Sequence, residues 1–234
     1  MGQPHCTDML VRMLSSSSPV ERRKAAEELG GAGGDVAVTA LRRLALGEPE
    51  AWVAGSAVEA LARIGDEGAV TCIRELAGRG DAILGAMAFE ALGRVGDAGT
   101  VPFLVRSAED ATRECARDAL LALFEVLDRV TVSEFPEDSS DVVRSLLLRV
   151  LRDEREDLWM RFRAAAAIGR LGEPALAPEL AETLRCTAHT APAVAVSCAR
   201  GLRRMGEAGE AAVRALSETG DDAVLAVLKT ASSA

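Results

Sequence analysis

The residue types in this chain best suited to binding are arginines. Arg42, Arg74 and Arg214 each follow an apolar residue (Leu41, Ile73 and Val213) at one equivalent point of three segments with helical spacing, and Arg43, Arg106 and Arg149 lie nearby in related segments. If those segments stack, the guanidinium groups fall in a row, which suits an acidic peptide or a phosphate through charge-assisted hydrogen bonds. A solvated face is the ordinary account of such a row, and Ala181 followed by Glu182 interrupts it in the fifth segment. The row is the leading candidate for partner binding.

Groups that could do covalent chemistry are scarce. The chain has two histidines, His5 and His189, near its two ends. Cys186 stands three residues before His189, the one spacing that could pair a thiol with a base, but nothing in the sequence orients the imidazole. The reading is an ordinary surface histidine and a half-buried cysteine. Carboxylates fall mainly at helix starts, where they complement the dipole, or on outward faces, so paired acid catalysis is not indicated. No metal-ligand set is visible and no cofactor is expected. Trp52 and Trp159 could stack on a flat ligand. Both, however, stand nine residues before a recurring Leu or Ile, the slot that Val20, Ile83, Ala111 and Ala193 fill elsewhere, which favours a structural position.

That recurring residue belongs to the pattern that must position everything else. It reads Ala25-Ala-Glu-Glu-Leu29, Ala57-Val-Glu-Ala-Leu61, Ala88-Phe-Glu-Ala-Leu92, Ala116-Arg-Asp-Ala-Leu120, Ala164-Ala-Ala-Ala-Ile168 and Cys198-Ala-Arg-Gly-Leu202. A period near thirty residues marks a solenoid of stacked supersecondary units. In each unit a first helix ends in the motif, a Gly-acid pair makes the turn, and a second helix returns. The pairs are Gly34-Asp35, Gly65-Asp66, Gly96-Asp97, Gly172-Glu173 and Gly206-Glu207. Ser18-Pro19-Val20-Glu21 has the form of a capping box with proline in the first turn. First helices are expected at 19–29, 50–64, 81–95, 110–128, 155–171 and 190–205, and second helices at 35–46, 67–77, 98–108, 141–152, 174–185 and 208–218. Capping helices are expected at 6–14 and 221–230.

The expected organisation is one all-α solenoid over 1–234. It comprises an N-terminal cap (1–18), three regular repeats (19–109), an irregular fourth repeat (110–154), two further repeats (155–219) and a C-terminal cap (220–234). The fourth repeat carries an insertion, Val130 to Ser140, whose Pro, Ser and acidic residues predict a surface loop. In the helix that follows, Val142, Val143, Leu146, Leu147, Val150 and Leu151 cover half the circumference, and Leu148 falls among Arg144, Ser145 and Arg152. Leu148 with Phe135 is either a sticky patch for a partner or a second copy, or part of an irregular repeat that packs both faces.

Hydrophobic residues make up 49% of the chain, charged ones 27% and aromatics 3%, so the core must be built of Ala, Leu and Val on closely packed helices. A net charge of -9 argues against a general binder of the nucleic-acid backbone. The five cysteines (Cys6, Cys72, Cys115, Cys186 and Cys198) have no CxxC spacing and read as reduced core thiols. With no signal-like start and no long apolar run, the expected compartment is the cytoplasm, without membrane insertion.

Three copies of the turn, Ala60-Leu-Ala-Arg-Ile-Gly-Asp66, Ala91-Leu-Gly-Arg-Val-Gly-Asp97 and Ala167-Ile-Gly-Arg-Leu-Gly-Glu173, resemble the HEAT-like repeats first associated with phycobilisome lyases, and the likeness extends over residues 19–219. It implies an α-solenoid whose second helices line the inner face. Within that family stand bilin-lyase relatives, metal hydroxylases, DNA-glycosylase relatives and plain adaptors. The repeated His-Glu pairs of the hydroxylases do not occur in this sequence. The expected function is a bacterial, non-enzymatic scaffold. It would hold a protein partner, suitably an acidic segment, on its second-helix face or fourth-repeat insertion. A bilin-handling lyase-like or chaperone-like protein is the alternative and a glycosylase-like protein a distant third.

Overall fold

A computed structural model of the chain describes residues 4–79, 82–110, 115–136 and 139–232, without the side chains of 4–6 and 132. Asp81 and Ala111, both expected in first helices, and the side chains of His5 and Cys6 lie outside the described residues. Fourteen α-helices and three short 3-10 turns, with no strand, make up the regular structure among the described residues. A cap helix α1 (Pro4–Met13) is followed by the helix pairs α2 (Pro19–Ala32) and α3 (Asp35–Gly47), α4 (Ala51–Ile64) and α5 (Glu67–Ala77), and α6 (Ala82–Val95) and α7 (Val101–Glu109). Then come α8 (Ala116–Leu127) and α9 (Ser139–Arg152), α10 (Leu158–Leu171) and α11 (Ala177–Thr187), α12 (Pro192–Leu202) and α13 (Gly206–Ser217), and the cap α14 (Asp222–Ser232). The architecture is an all-α solenoid of helix pairs, and none of its described helices is long and apolar enough to cross a membrane.

The chain divides into two compact units, Met1–Val126 and Leu127–Ala234, so the two helices of the fourth pair fall in different units. Within the first unit, α2 packs on α4 and α4 on α6, while α3 packs on α5, so first helices contact first helices and second helices contact second helices. In the second unit α10 packs on α12, α12 on α14 and α11 on α13 in the same manner. Motif residues form the floor of this packing. Leu29, Leu61, Leu92, Ile168 and Leu202 are completely buried, as are Ala25, Ala57, Ala88, Ala164 and Cys198 four residues before them. The i, i+4 pair places both on one helix face.

The turns show why the helices end where they do. Gly65 and Gly172 adopt the left-handed conformation, at φ 63° and 66°, which closes α4 and α10 at no steric cost. Asp66 then accepts the backbone N–H of Ala69 at 2.7 Å and starts α5. The second helices of the third and fifth pairs enter through 3-10 turns at Ala98–Thr100 and Pro174–Leu176. At the start of α2 the expected capping box does not form. Pro19 sets the first turn, but Ser18 makes no side-chain cap, and Glu21 instead accepts the Ser16 hydroxyl at 2.5 Å.

The fourth-repeat insertion is also more ordered than its composition suggests. Val132–Glu134 forms a 3-10 turn in which Glu134 accepts the Thr131 N–H at 2.6 Å, and α9 begins at Ser139. Residues 137–138 of the insertion lie outside the description.

Candidate functional site

The second-helix arginines are distributed over the two units. In the first, Arg42 pairs with Glu75 of the next second helix at 2.8 Å, and half-buried Arg74 donates to the Thr71 hydroxyl at 3.4 Å. Arg43 and Arg106 are exposed. In the second unit Arg149 and Arg214 are exposed, and two other arginines of α9 reach α11 and its entry: Arg152 pairs with Glu179, and Arg144 with Glu173 at 2.6 Å. Three of these arginines, Arg42, Arg144 and Arg152, thus tie one second helix to the next or to its entry. Leu148, which the sequence left open between an exposed patch and a packed face, is half-buried, as is Phe135; the exposed apolar residue of α9 is Val142, at 43% exposure, which the helical projection assigned to the buried half. Val142 stands in the first turn, where Ser139 and Val143 take the buried side of the helix.

The Cys186–His189 pair does not assemble. Cys186 is exposed rather than core, donates to Glu182 at 3.3 Å, and its thiol pKa is raised by that carboxylate, which holds it protonated. The His189 Nε2 lies 3.1 Å from Asp221. Cys115 and Cys198 are core thiols as expected; burial pushes the Cys198 pKa up to about 12.

The arginines that converge stand elsewhere, two residues after the motif hydrophobe on the first helices: Arg63, Arg94, Arg170 and Arg204. Two residues before that hydrophobe, the early repeats carry an acid: Glu27, Glu59, Glu90 and Asp118. In the first unit helix stacking brings the arginine of one repeat to the acid position of the repeat before. There Arg94 pairs with Glu59, and Arg63 donates to the backbone carbonyl of Glu27 at 3.1 Å. A cavity of about 340 Å³ there holds Glu27, Glu59 and Glu90 against Arg63 and Arg94.

In the second unit the acid positions are Ala166 and Arg200. The equivalent cavity, about 280 Å³ between α10 and α12, is lined by Arg163, Arg170, Arg200 and Arg204, with Asp128 as the acid among its lining residues. Asp128 is shared: Arg170 forms an ion pair with it, and Arg163 Nη2 lies 3.3 Å away. Arg170 Nε is buried with no hydrogen-bond partner. Burial first, and then the positive charges of Arg163 and Arg204, lower the Arg170 pKa against the opposing pull of Asp128. Its guanidinium stays charged, so the site holds an undercompensated cation.

Trp159 touches two of the lining residues, Phe162 and Arg163. It is 55% exposed, stacks on Phe162 with centroids 5.4 Å apart, and lies under the Arg163 guanidinium at 5.9 Å. Trp52 makes the same contact with Arg23 in the first unit. The tryptophan slot is therefore shared between repeats but faces outward, as do Val20 and Ile83 in the same register. Sequence reasoning found the slot and missed the cavity. The signal was available in the replacement of the motif acid by Ala166 and Arg200.

Residues 44–123 match the family model of HEAT repeats. The structure is similar to that of YibA of Escherichia coli, at 14% identity and a TM-score of 0.59 over 100% of this chain and 83% of that one. An engineered protein is similar at 18% identity, TM-score 0.55, over 88% and 97%. The complex of CpcE and CpcF of phycocyanin lyase from Nostoc is similar at 19% identity and a TM-score of 0.41, over 99% and 96%. No curated protein matches the chain significantly. Likeness at these identities concerns the fold, which is that of HEAT- and armadillo-type repeat proteins.

Proposed function

We propose that this HEAT-type repeat protein is a non-enzymatic scaffold that captures an acidic segment of a protein partner, with the arginine cavity of the second unit as the grip. The observation that carries this reading is the crowding of four arginines around one acid, Asp128, in a cavity whose first-unit equivalent sets three carboxylates against two arginines. A buried guanidinium donor without a partner is costly, and an incoming carboxylate meets that need while relieving the repulsion among Arg163, Arg170 and Arg204. Exposed Arg200 and Arg204 would speed the encounter, and the Trp159–Phe162 shelf offers an apolar neighbour. A peptide is favoured over nucleic acid because the whole chain carries a charge of -9, which repels a long polyanion, whereas a short acidic segment meets the local field alone. The second-helix arginines Arg42, Arg43, Arg74, Arg106, Arg149 and Arg214, with Phe135 and Leu148, are the alternative contact surface within the same reading.

Fluorescence anisotropy of a labelled oligoglutamate peptide, with the full chain at near-physiological salt, separates these surfaces. Combined Arg200→Glu and Arg204→Glu should weaken binding by about tenfold or more, a loss near 1.4 kcal/mol, while Arg42→Glu, Arg74→Glu and Arg214→Glu together should cost less than about threefold. The reverse ranking would move the grip to the second helices. Equal affinity in all three proteins, or a preference for a single-stranded oligonucleotide of matched charge, would overturn the reading.

A further inference from the structure

Arg161, in the second unit, is 7% exposed, an unusual state for a cation. Its Nε donates to the carbonyl of Leu151 at 3.0 Å, at the end of α9, where the helix dipole favours positive charge. Its one hydrogen bond among the described residues is that from Nε, and its two terminal nitrogens, unlike Arg170 Nε, are not sealed from solvent. The residue lines a cavity of about 460 Å³, within the size range of small-ligand sites, between the end of α9, the start of α10 and α11. This cavity is separate from the one lined by Arg163 and Arg170.

The first repeat shows what a guanidinium in this slot takes. Arg161 stands seven residues before Ile168, and Arg22 stands seven before Leu29. Arg22 also donates to the chain before its helix, to the Ser16 carbonyl at 2.9 Å. Its fork is completed by Glu48, bound from Nε at 2.7 Å and Nη2 at 2.5 Å, with the Glu48 side chain 1% exposed. Counting from the next motif, thirteen residues before Leu61 is Glu48, and thirteen before Leu202 is His189. His189 is exposed and faces Asp221. The second unit thus keeps the buried arginine and lacks the carboxylate that answers it in the first.

The rim narrows the ligand class. Glu179 is engaged by Arg152, and Glu182 by Arg185 and the Cys186 thiol, while Glu154 is exposed at the mouth. With Glu179 and Glu182 answered by Arg152 and Arg185, what faces the cavity is the Arg161 guanidinium and the exposed Glu154 carboxylate, which suits a ligand carrying a carboxylate with a cationic group beside it. Thr183, Thr187 and Thr190 add hydroxyls to the lining. We propose that this cavity binds a free α-amino acid, with its carboxylate on the terminal nitrogens of Arg161 and its ammonium toward Glu154. The proposal is independent of the acidic-segment reading, which concerns other residues.

Calorimetric titration of the full chain with each of the twenty amino acids, followed by the amide of any that binds, tests it. At least one amino acid should bind at one per chain. Its amide and the Arg161→Met variant should each show a loss of about tenfold or more, as expected for a two-bond guanidinium–carboxylate contact. Because that variant removes a buried contact and could misfold, a second measurement uses the unaltered protein. Cys186 lies on the rim, so the binding amino acid should slow its alkylation, read by peptide mass mapping, and leave Cys72 unchanged. Binding of no amino acid, equal binding of the amide, tighter binding of succinate, or an unprotected Cys186 would each overturn the proposal.

Discussion

A methyl group added at Gly169 would collide with the backbone of Gly201 where α10 crosses α12, and one added at Gly201 would lie 2.8 Å from Leu180 Cδ1 and 3.1 Å from Gly169 Cα. The small residues of the motif are there because neighbouring first helices approach nearly backbone to backbone. Gly169→Val is expected to lower stability by about 2 kcal/mol or more through overpacking, while Gly31→Val, on an exposed surface with open space at its Cβ, should cost no more than about 1 kcal/mol. Urea unfolding of the two variants gives the comparison. Residue type and spacing alone were enough to foresee these contacts, since Gly and Ala at fixed intervals beside a Leu have few other uses in a helix. The same reasoning could not foresee that Arg161 is buried. Seven residues before the motif hydrophobe stand Arg22, Ala54, Gly85, Arg161 and Ala195, a mixture that carries no burial signal until the helices are packed.

At the scale of elements, the Arg22–Glu48 pair joins the start of α2 to the exit of α3. Arg22 holds the Glu48 carboxyl below its ordinary value of 4.5, chiefly by their hydrogen bonds, with burial opposing. The folded state therefore binds a proton less readily than the unfolded chain. The stabilisation is complete above the ordinary carboxylate pKa and is lost as pH falls through the lower, folded value. Glu48→Gln should accordingly lower the melting temperature at neutral pH, and the gap from the unaltered protein should close as the pH is taken below 4.5 toward that folded pKa. A gap independent of pH across that range would assign Glu48 a packing role alone. Helix positions outside the fourth repeat followed closely from the pattern, because the apolar period and the Gly-acid turns agree there. The departures lie where local chemistry had two outlets: Ser18 gave way to Pro19 and Ser16, and the insertion took up a 3-10 turn through Thr131 and Glu134.

For the whole molecule, the two units are built by one rule and charged by two. Because each helix pair packs chiefly on its neighbours within a unit, a core defect should spread only locally. Ile168→Ala, at a completely buried motif position, is expected to cost about 2–5 kcal/mol. Hydrogen exchange should then quicken in α9 to α12 and stay unchanged in α2 to α5. Uniform quickening along the chain would show one cooperative body instead. The sequence by itself determined the all-α repeat architecture, most helix positions and the motif core of five repeats, because these depend on periodic apolar burial and turn chemistry that those repeats restate. In the irregular fourth, the completely buried pair is Ala119 and Leu123, three residues beyond the expected Ala116 and Leu120. Only the tertiary structure decided which charges meet. Whether an arginine is paired depends on a residue about one repeat away, as Arg94 and Glu59 or Arg22 and Glu48 show. The unmatched donors of Arg161 and Arg170 emerge only when neighbouring helices are laid side by side.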